Sequence, residues 1–127
     1  MMRTLVIICV TLLAQISLGQ EDTLVYSNPD SAAEFEYENC ENSIECIRNY
    51  VKSNAVWPSR DDIQLTVYVQ CRVEKNGSLT QLKIVKGDNG IFDQASLELV
   101  QNMPNWIPAQ NEGKVLRSII YIPLRWE

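Results

Sequence analysis

The stretch Ile63-Gln64-Leu65-Thr66-Val67-Tyr68-Val69-Gln70-Cys71-Arg72-Val73 alternates apolar and polar residues without a break. A period of two with one apolar set describes a strand buried on a single face. Glu74-Lys75-Asn76-Gly77-Ser78 follows, and Asn76-Gly77 is a strong hairpin signal because both residues tolerate positive φ. Leu79-Thr80-Gln81-Leu82-Lys83-Ile84-Val85-Lys86 reads as the returning strand, and Gly87-Asp88-Asn89-Gly90 ends it. This antiparallel pair is the frame on which the rest of the chain is placed.

Before the hairpin the spacing is helical. Ile44, Ile47 and Val51, with Tyr50 beside them, fall on one face. Asn42 followed by Glu45 is a start signal, and Pro58 forces an end before it. After the hairpin a second helix is expected from near Asp93. Its stripe is Phe92, Ala95 or Ser96, Leu99, Val100 and Met103, and Pro104 stops it. The loop 105–113 leads to a last strand. There Leu116, Ser118, Ile120, Ile122, Leu124 and Trp126 alternate with Val115, Arg117, Ile119, Tyr121, Pro123 and Arg125. The expected fold is an α+β two-layer sandwich, with two helices on one face of a three-stranded antiparallel sheet.

Composition narrows the chemistry. The 127 residues contain no histidine, which removes the commonest general base, proton shuttle and metal ligand. No serine has an evident activating base, and no Gly-rich phosphate loop follows a strand. The adjacent carboxylates Asp61-Asp62 and Glu21-Asp22 read as a strand-start turn and a chain terminus. The cysteines lack the spacing of a zinc site. No enzyme activity, cofactor or metal is therefore expected. The net charge of −5 argues against nucleic acid, which needs clustered Lys and Arg. The dense acidic stretch Glu34 to Glu45 reads as a solvated edge. Asn76-Gly77-Ser78 fits a glycosylation acceptor, but a turn explains the same residues.

The chain opens Met1-Met2-Arg3, continues with a short apolar run, and reaches Ser17-Leu18-Gly19-Gln20. That pattern is a secretory signal with cleavage after Gly19, and Gln15 and Ser17 shorten the run below the length of a spanning helix. A cleaved signal at 1–19 implies a periplasmic protein with no direct membrane span afterwards. Residues 20–34 read as an N-terminal arm or linker and 35–127 as the domain. Three cysteines remain in an oxidising compartment: Cys40, Cys46 and Cys71. Cys40–Cys46 would close a small loop at a helix start, and Cys46–Cys71 would staple a helix to a strand. Cys46 and Cys71 could equally be small buried apolar groups.

Several separate motifs together carry a family resemblance. Val67-Tyr68-Val69 with Val73 to Thr80 resembles the first hairpin of TonB C-terminal domains. Met103-Pro104-Asn105-Trp106-Ile107-Pro108-Ala109, then Asn111-Glu112-Gly113-Lys114, is similar to the family's proline–tryptophan–proline turn and the glycine–lysine lead into its last strand. Ile122-Pro123-Leu124-Arg125-Trp126 is similar to its close. The resemblance spans about residues 42 to 127. It implies a binding module that adds an extended segment of an outer-membrane receptor, the TonB box, to the edge of the last strand. The site would be the backbone of Leu116, Arg117, Ser118, Ile119, Ile120, Tyr121 and Ile122. The residues Asn76, Gly77, Pro104, Trp106, Pro108 and Pro123 would shape the scaffold. Pro123 fits an edge in its own right, since it lacks a backbone donor.

Two features depart from the family. Phe35-Glu36-Tyr37-Glu38-Asn39-Cys40 stands where relatives carry phenylalanine–proline–glycine–glycine. The 20–34 arm, at 3.3–3.6 Å per residue, reaches only about 50 Å, far less than the family's proline-rich linker. Two other readings follow: an anchored energy transducer with an uncleaved N-terminus, and an envelope protein that pairs with itself as a homodimer through the same edge.

Overall fold

The structure is a computed structural model that describes residues 24–60, 63–87 and 90–127. The expected signal peptide, Glu21-Asp22 and Asp61-Asp62 lie outside them. In chain order the elements are β1 (Val25–Tyr26), α1 (Ser43–Asn54), β2 (Leu65–Val73), β3 (Leu79–Lys86), α2 (Gly90–Gln101), β4 (Ala109–Asn111) and β5 (Lys114–Trp126).

The architecture is α+β with two helices, as expected, but the sheet is larger and mixed. Its order is β1-β5-β2-β3, with β4 also paired to β5. β2 and β5 form an uninterrupted antiparallel ladder from Leu65↔Trp126 to Val73↔Ser118. The expected three antiparallel strands are therefore present, and two more extend them. One is β4, which folds back on β5 through Glu112 and Gly113, at φ 50° and 77°. Two successive left-handed residues make the tight hairpin turn that matches strand twist. The other is β1, which runs parallel to β5 with Val25↔Arg117 and Tyr26↔Ser118. Residues 24–34, expected as arm or linker, continue along the domain through the bridges Ser31↔Gln110 and Glu34↔Ile107.

The β2–β3 turn also differs in detail. Only Gly77 has positive φ, at 87°. Its N–H donates to the Glu74 carbonyl, and Glu74 N–H donates to Ser78. That is a three-residue loop with a left-handed glycine rather than a two-residue Asn-Gly turn. Asn76 contributes through its side chain, which accepts from the Ser78 amide at 3.0 Å.

α1 begins where expected: the Asn42 side chain caps it by accepting from Glu45 N–H at 2.9 Å. Its buried face is Cys46, Ile47, Tyr50 and Val51. Ile44, expected on that face, is 55% exposed. α2 starts three residues before Asp93, and Phe92, Ser96, Leu99 and Val100 are its buried stripe. Met103 lies beyond the helix and is only partly buried. The strand alternation is borne out, since Val67, Val69, Cys71 and Val73 face Ile122, Leu124 and Trp126 in one core. Ser96 is tolerated there because its hydroxyl donates to the Phe92 carbonyl and accepts from Trp126 Nε1. Tyr50 is held likewise, its hydroxyl donating to the Leu99 carbonyl at 2.6 Å.

Candidate protein-binding site

The last strand has two flanks. One is paired to β2 from Ser118 to Trp126 and to β4 from Lys114 to Leu116. The other meets β1 at Arg117 and Ser118, and beyond Ser118 no strand of the described residues pairs with it. Pro123 stands opposite Tyr68 in the unbroken β2 ladder. A nitrogen without a proton is accommodated in a ladder where it faces away from the neighbour. Pro123 thus marks the residues whose backbone groups point to the open flank, and alternation turns Tyr121 and Arg125 the same way.

The seven expected site residues occupy this strand as follows. Leu116 and Ser118 are buried, as is Ile122, and Ile120 packs partly buried against the core. Their side chains serve the fold, and the alternation that turns Tyr121 to the open flank turns their backbone groups to the paired one. Arg117 lies beside Val25 and forms an ion pair with Glu74 at 3.4 Å. Ile119 is half-buried. Tyr121 is 60% exposed.

Sequence reasoning missed the wall beside this flank. Ile44 and Arg48 of α1 line a groove with Pro123, Arg125 and Glu127. Arg48 and Lys52, with Trp57, line its continuation past Trp126. Trp57 is fixed by edge-on contacts with Trp126 and Phe92, at 5.7 and 5.6 Å between ring centroids. The available signal was the four-residue spacing of Ile44, Arg48 and Lys52, which sets them along one side of the helix.

The scaffold motifs are placed around the far end of the sheet. Pro104 follows α2, and Trp106 is buried with its backbone N–H donating to the Gly77 carbonyl at 2.8 Å. Its ring stacks on Phe35 at 5.1 Å, so the segment that departs from the family pattern after Phe35 is still anchored in the core by that residue. Pro108 leads into β4. Of the cysteine alternatives, Cys40–Cys46 is the disulfide, with Cα atoms 5.3 Å apart. It ties the segment after Phe35 to the first turns of α1. Cys71 is free and buried, and burial pushes its thiol up to about 12. Burial, then the neighbouring Tyr37, raises the Tyr50 phenol. Among the described residues there is no group of three or more His, Cys, Asp or Glu placed to hold a metal, and no helix long and apolar enough to cross a membrane.

The family model for the Gram-negative bacterial TonB protein C-terminal matches residues 59–127. The chain belongs to this family. The match takes in β2 through β5 and leaves α1 and the disulfide outside it. No match was found among curated proteins or among solved structures. Family membership gives the chain a TonB-like protein-binding role in transport at the cell envelope. It also gives meaning to the open strand flank, since a strand with unpaired backbone groups can accept another chain.

Proposed function

We propose that this domain binds an extended segment of an outer-membrane receptor, or of another envelope protein, by adding it as a strand to the open flank of β5. The observation that carries this is the flank itself: a ladder without register shifts on one side and, among the described residues, only a two-residue partner on the other. Strand addition supplies affinity through main-chain hydrogen bonds and specificity through alternate side chains. The segment Leu116–Ile122 is the core of the site. An incoming strand either displaces β1 from Arg117 and Ser118 or begins at Tyr121 and runs toward Arg125. The protein acts in the periplasm after removal of residues 1–19 and works without catalysis or cofactor.

The test is a titration of the isotope-labelled protein with a peptide copying the TonB box of a receptor from the same cell. Amide shifts concentrated along 116–125, with β3 unmoved, are the expected result. Peptide at millimolar concentration that leaves those amides unshifted sinks the proposal.

A further inference from the structure

The groove beside the open flank has a sign. The chain as a whole carries −5, yet Arg48, Lys52 and Arg125 line this groove, with Glu127 as its one acidic lining residue among the described residues. Glu127 pairs with Arg125 at 3.6 Å. Arg48 and Lys52 make no ion pair among the described residues, and both are exposed on α1. The nearest carboxylate on that helix, Glu45, accepts from the Glu41 N–H and is held at the helix start. Arg48 and Lys52 thus line the two adjoining hollows at the Pro123–Glu127 end of β5, where a strand added at Tyr121 and running past Arg125 would arrive.

Their spacing suits a strand. Arg48 and Lys52 are one helical turn apart, about 6 Å along the axis at 1.5 Å per residue. Side chains two apart on an extended chain stand about 6.6 Å from each other on the same face. Ile44, one turn earlier and exposed, offers an apolar contact in the same row.

We infer that the segment captured by β5 carries two carboxylate side chains two residues apart, received by Arg48 and Lys52, with an apolar residue against Ile44. The partner is thus an extended acidic stretch of another protein. This rests on the strand-addition reading above and specifies which segments it selects.

The experiment uses the full chain and three synthetic peptides with the same alternating valine and threonine frame. Two same-face positions, two residues apart, carry glutamate, glutamine or lysine. Binding and its location are read from amide shifts. The glutamate peptide is expected to bind about three- to tenfold more tightly than the glutamine one, as two partly exposed ion pairs allow. High salt should erase that preference. The double substitution Arg48→Glu, Lys52→Glu should transfer the preference to the lysine peptide. Equal affinity of glutamate and glutamine peptides, with shifts still on β5, overturns the charge selection and leaves strand addition standing. If no peptide shifts β5, strand addition fails and the selection with it. Should the double variant fold poorly, the salt series on the unaltered protein decides alone.

Discussion

The sheet has two outer edges, and they are built in opposite ways. β3 pairs with β2 through two register shifts. At one, Val85 is the extra residue between Ile84 and Lys86. At the other, Gln81 and Leu82 lie across from Cys71, and Gln81 has a left-handed φ of 54°. Lys83 and Lys86 add charge along it. Bulges and lysines are how proteins blunt an edge against other strands. β5 has no register shift against β2 over nine pairs. Its outer flank is covered by a two-residue strand and broken by one proline. One edge carries the features that guard a sheet against pairing and the other lacks them, which is why the open flank of β5, and not β3, is proposed as the site.

The same contrast extends to packing, and the largest expected effect tests it there. Trp126 is 1% exposed at the end of β5, wedged against Phe92 and Trp57, with its indole N–H on Ser96. Trp126→Ala should cost about 3–5 kcal/mol of folding stability by denaturant melt. Val85→Ala at the 51% exposed β3 bulge should cost within about 0.5 kcal/mol. Similar losses at the two positions would mean that β3 is as deeply built in as β5.

Gly77 joins the closed edge to the core. Its φ of 87° disfavours a side chain, and a methyl there would run into the Trp106 carbonyl oxygen. Gly77→Ala should cost about 1–3 kcal/mol through backbone strain and loss of the Trp106 seat. An unchanged melting midpoint would mean that the turn relaxes freely and that Trp106 is not held through it.

The sequence made some of this legible and hid the rest for identifiable reasons. The alternation in β2 and β5 reported a strong one-sided burial, so strands and core faces could be read directly. Asn42 sets the start of α1 through local backbone chemistry, and Pro58 bounds its end, which falls earlier at Asn54. β1 and β4 were not legible: two- and three-residue strands carry no periodicity, and their pairing is decided by what they dock on. Ile44 was misassigned because helix spacing places it near the buried stripe, whereas the tertiary contact comes from Cys46, Ile47, Tyr50 and Val51. The same residue lines the groove, so the error fell beside the proposed site.

The edges can next be compared by proline. Tyr121→Pro removes a backbone donor that faces the open flank while sparing the β2 ladder, so receptor-peptide affinity should drop at least about tenfold with a modest stability loss. Val85→Pro on β3 should leave that affinity unchanged. If both prolines weaken binding equally, the peptide is not adding to β5.

A smaller effect asks whether the β3 bulge lets water reach the sheet. Cys71 lies opposite the bulge with its thiol raised from 9.0 to about 12. The protonated form is common to both states below pH 9, so stability there is undiminished. Above pH 9 the unfolded chain releases the proton and the folded one keeps it, so stability should fall by up to about 1.4 kcal/mol per pH unit. Tyr50 adds a loss of the same sign at higher pH, because its phenol is also raised. In Cys71→Ala the decline should start later, with Tyr50. A wild-type curve flat to pH 10 would show that the bulge admits solvent to the thiol.

The smallest effect concerns how free the β5 flank is. A two-residue strand such as β1 opens at a cost near zero, as frayed segments do. If it covers the binding stretch about half the time, it lowers apparent affinity about twofold. Tyr26→Pro removes the second N–H of β1, and should change stability by less than about 0.5 kcal/mol while raising peptide affinity by about that factor. The comparison decides the register of the bound strand. A rise in affinity means that the partner uses Arg117 and Ser118 and must displace β1. No change means that it pairs only from Tyr121 onward, beside Arg48 and Lys52, with β1 a permanent neighbour that caps the site.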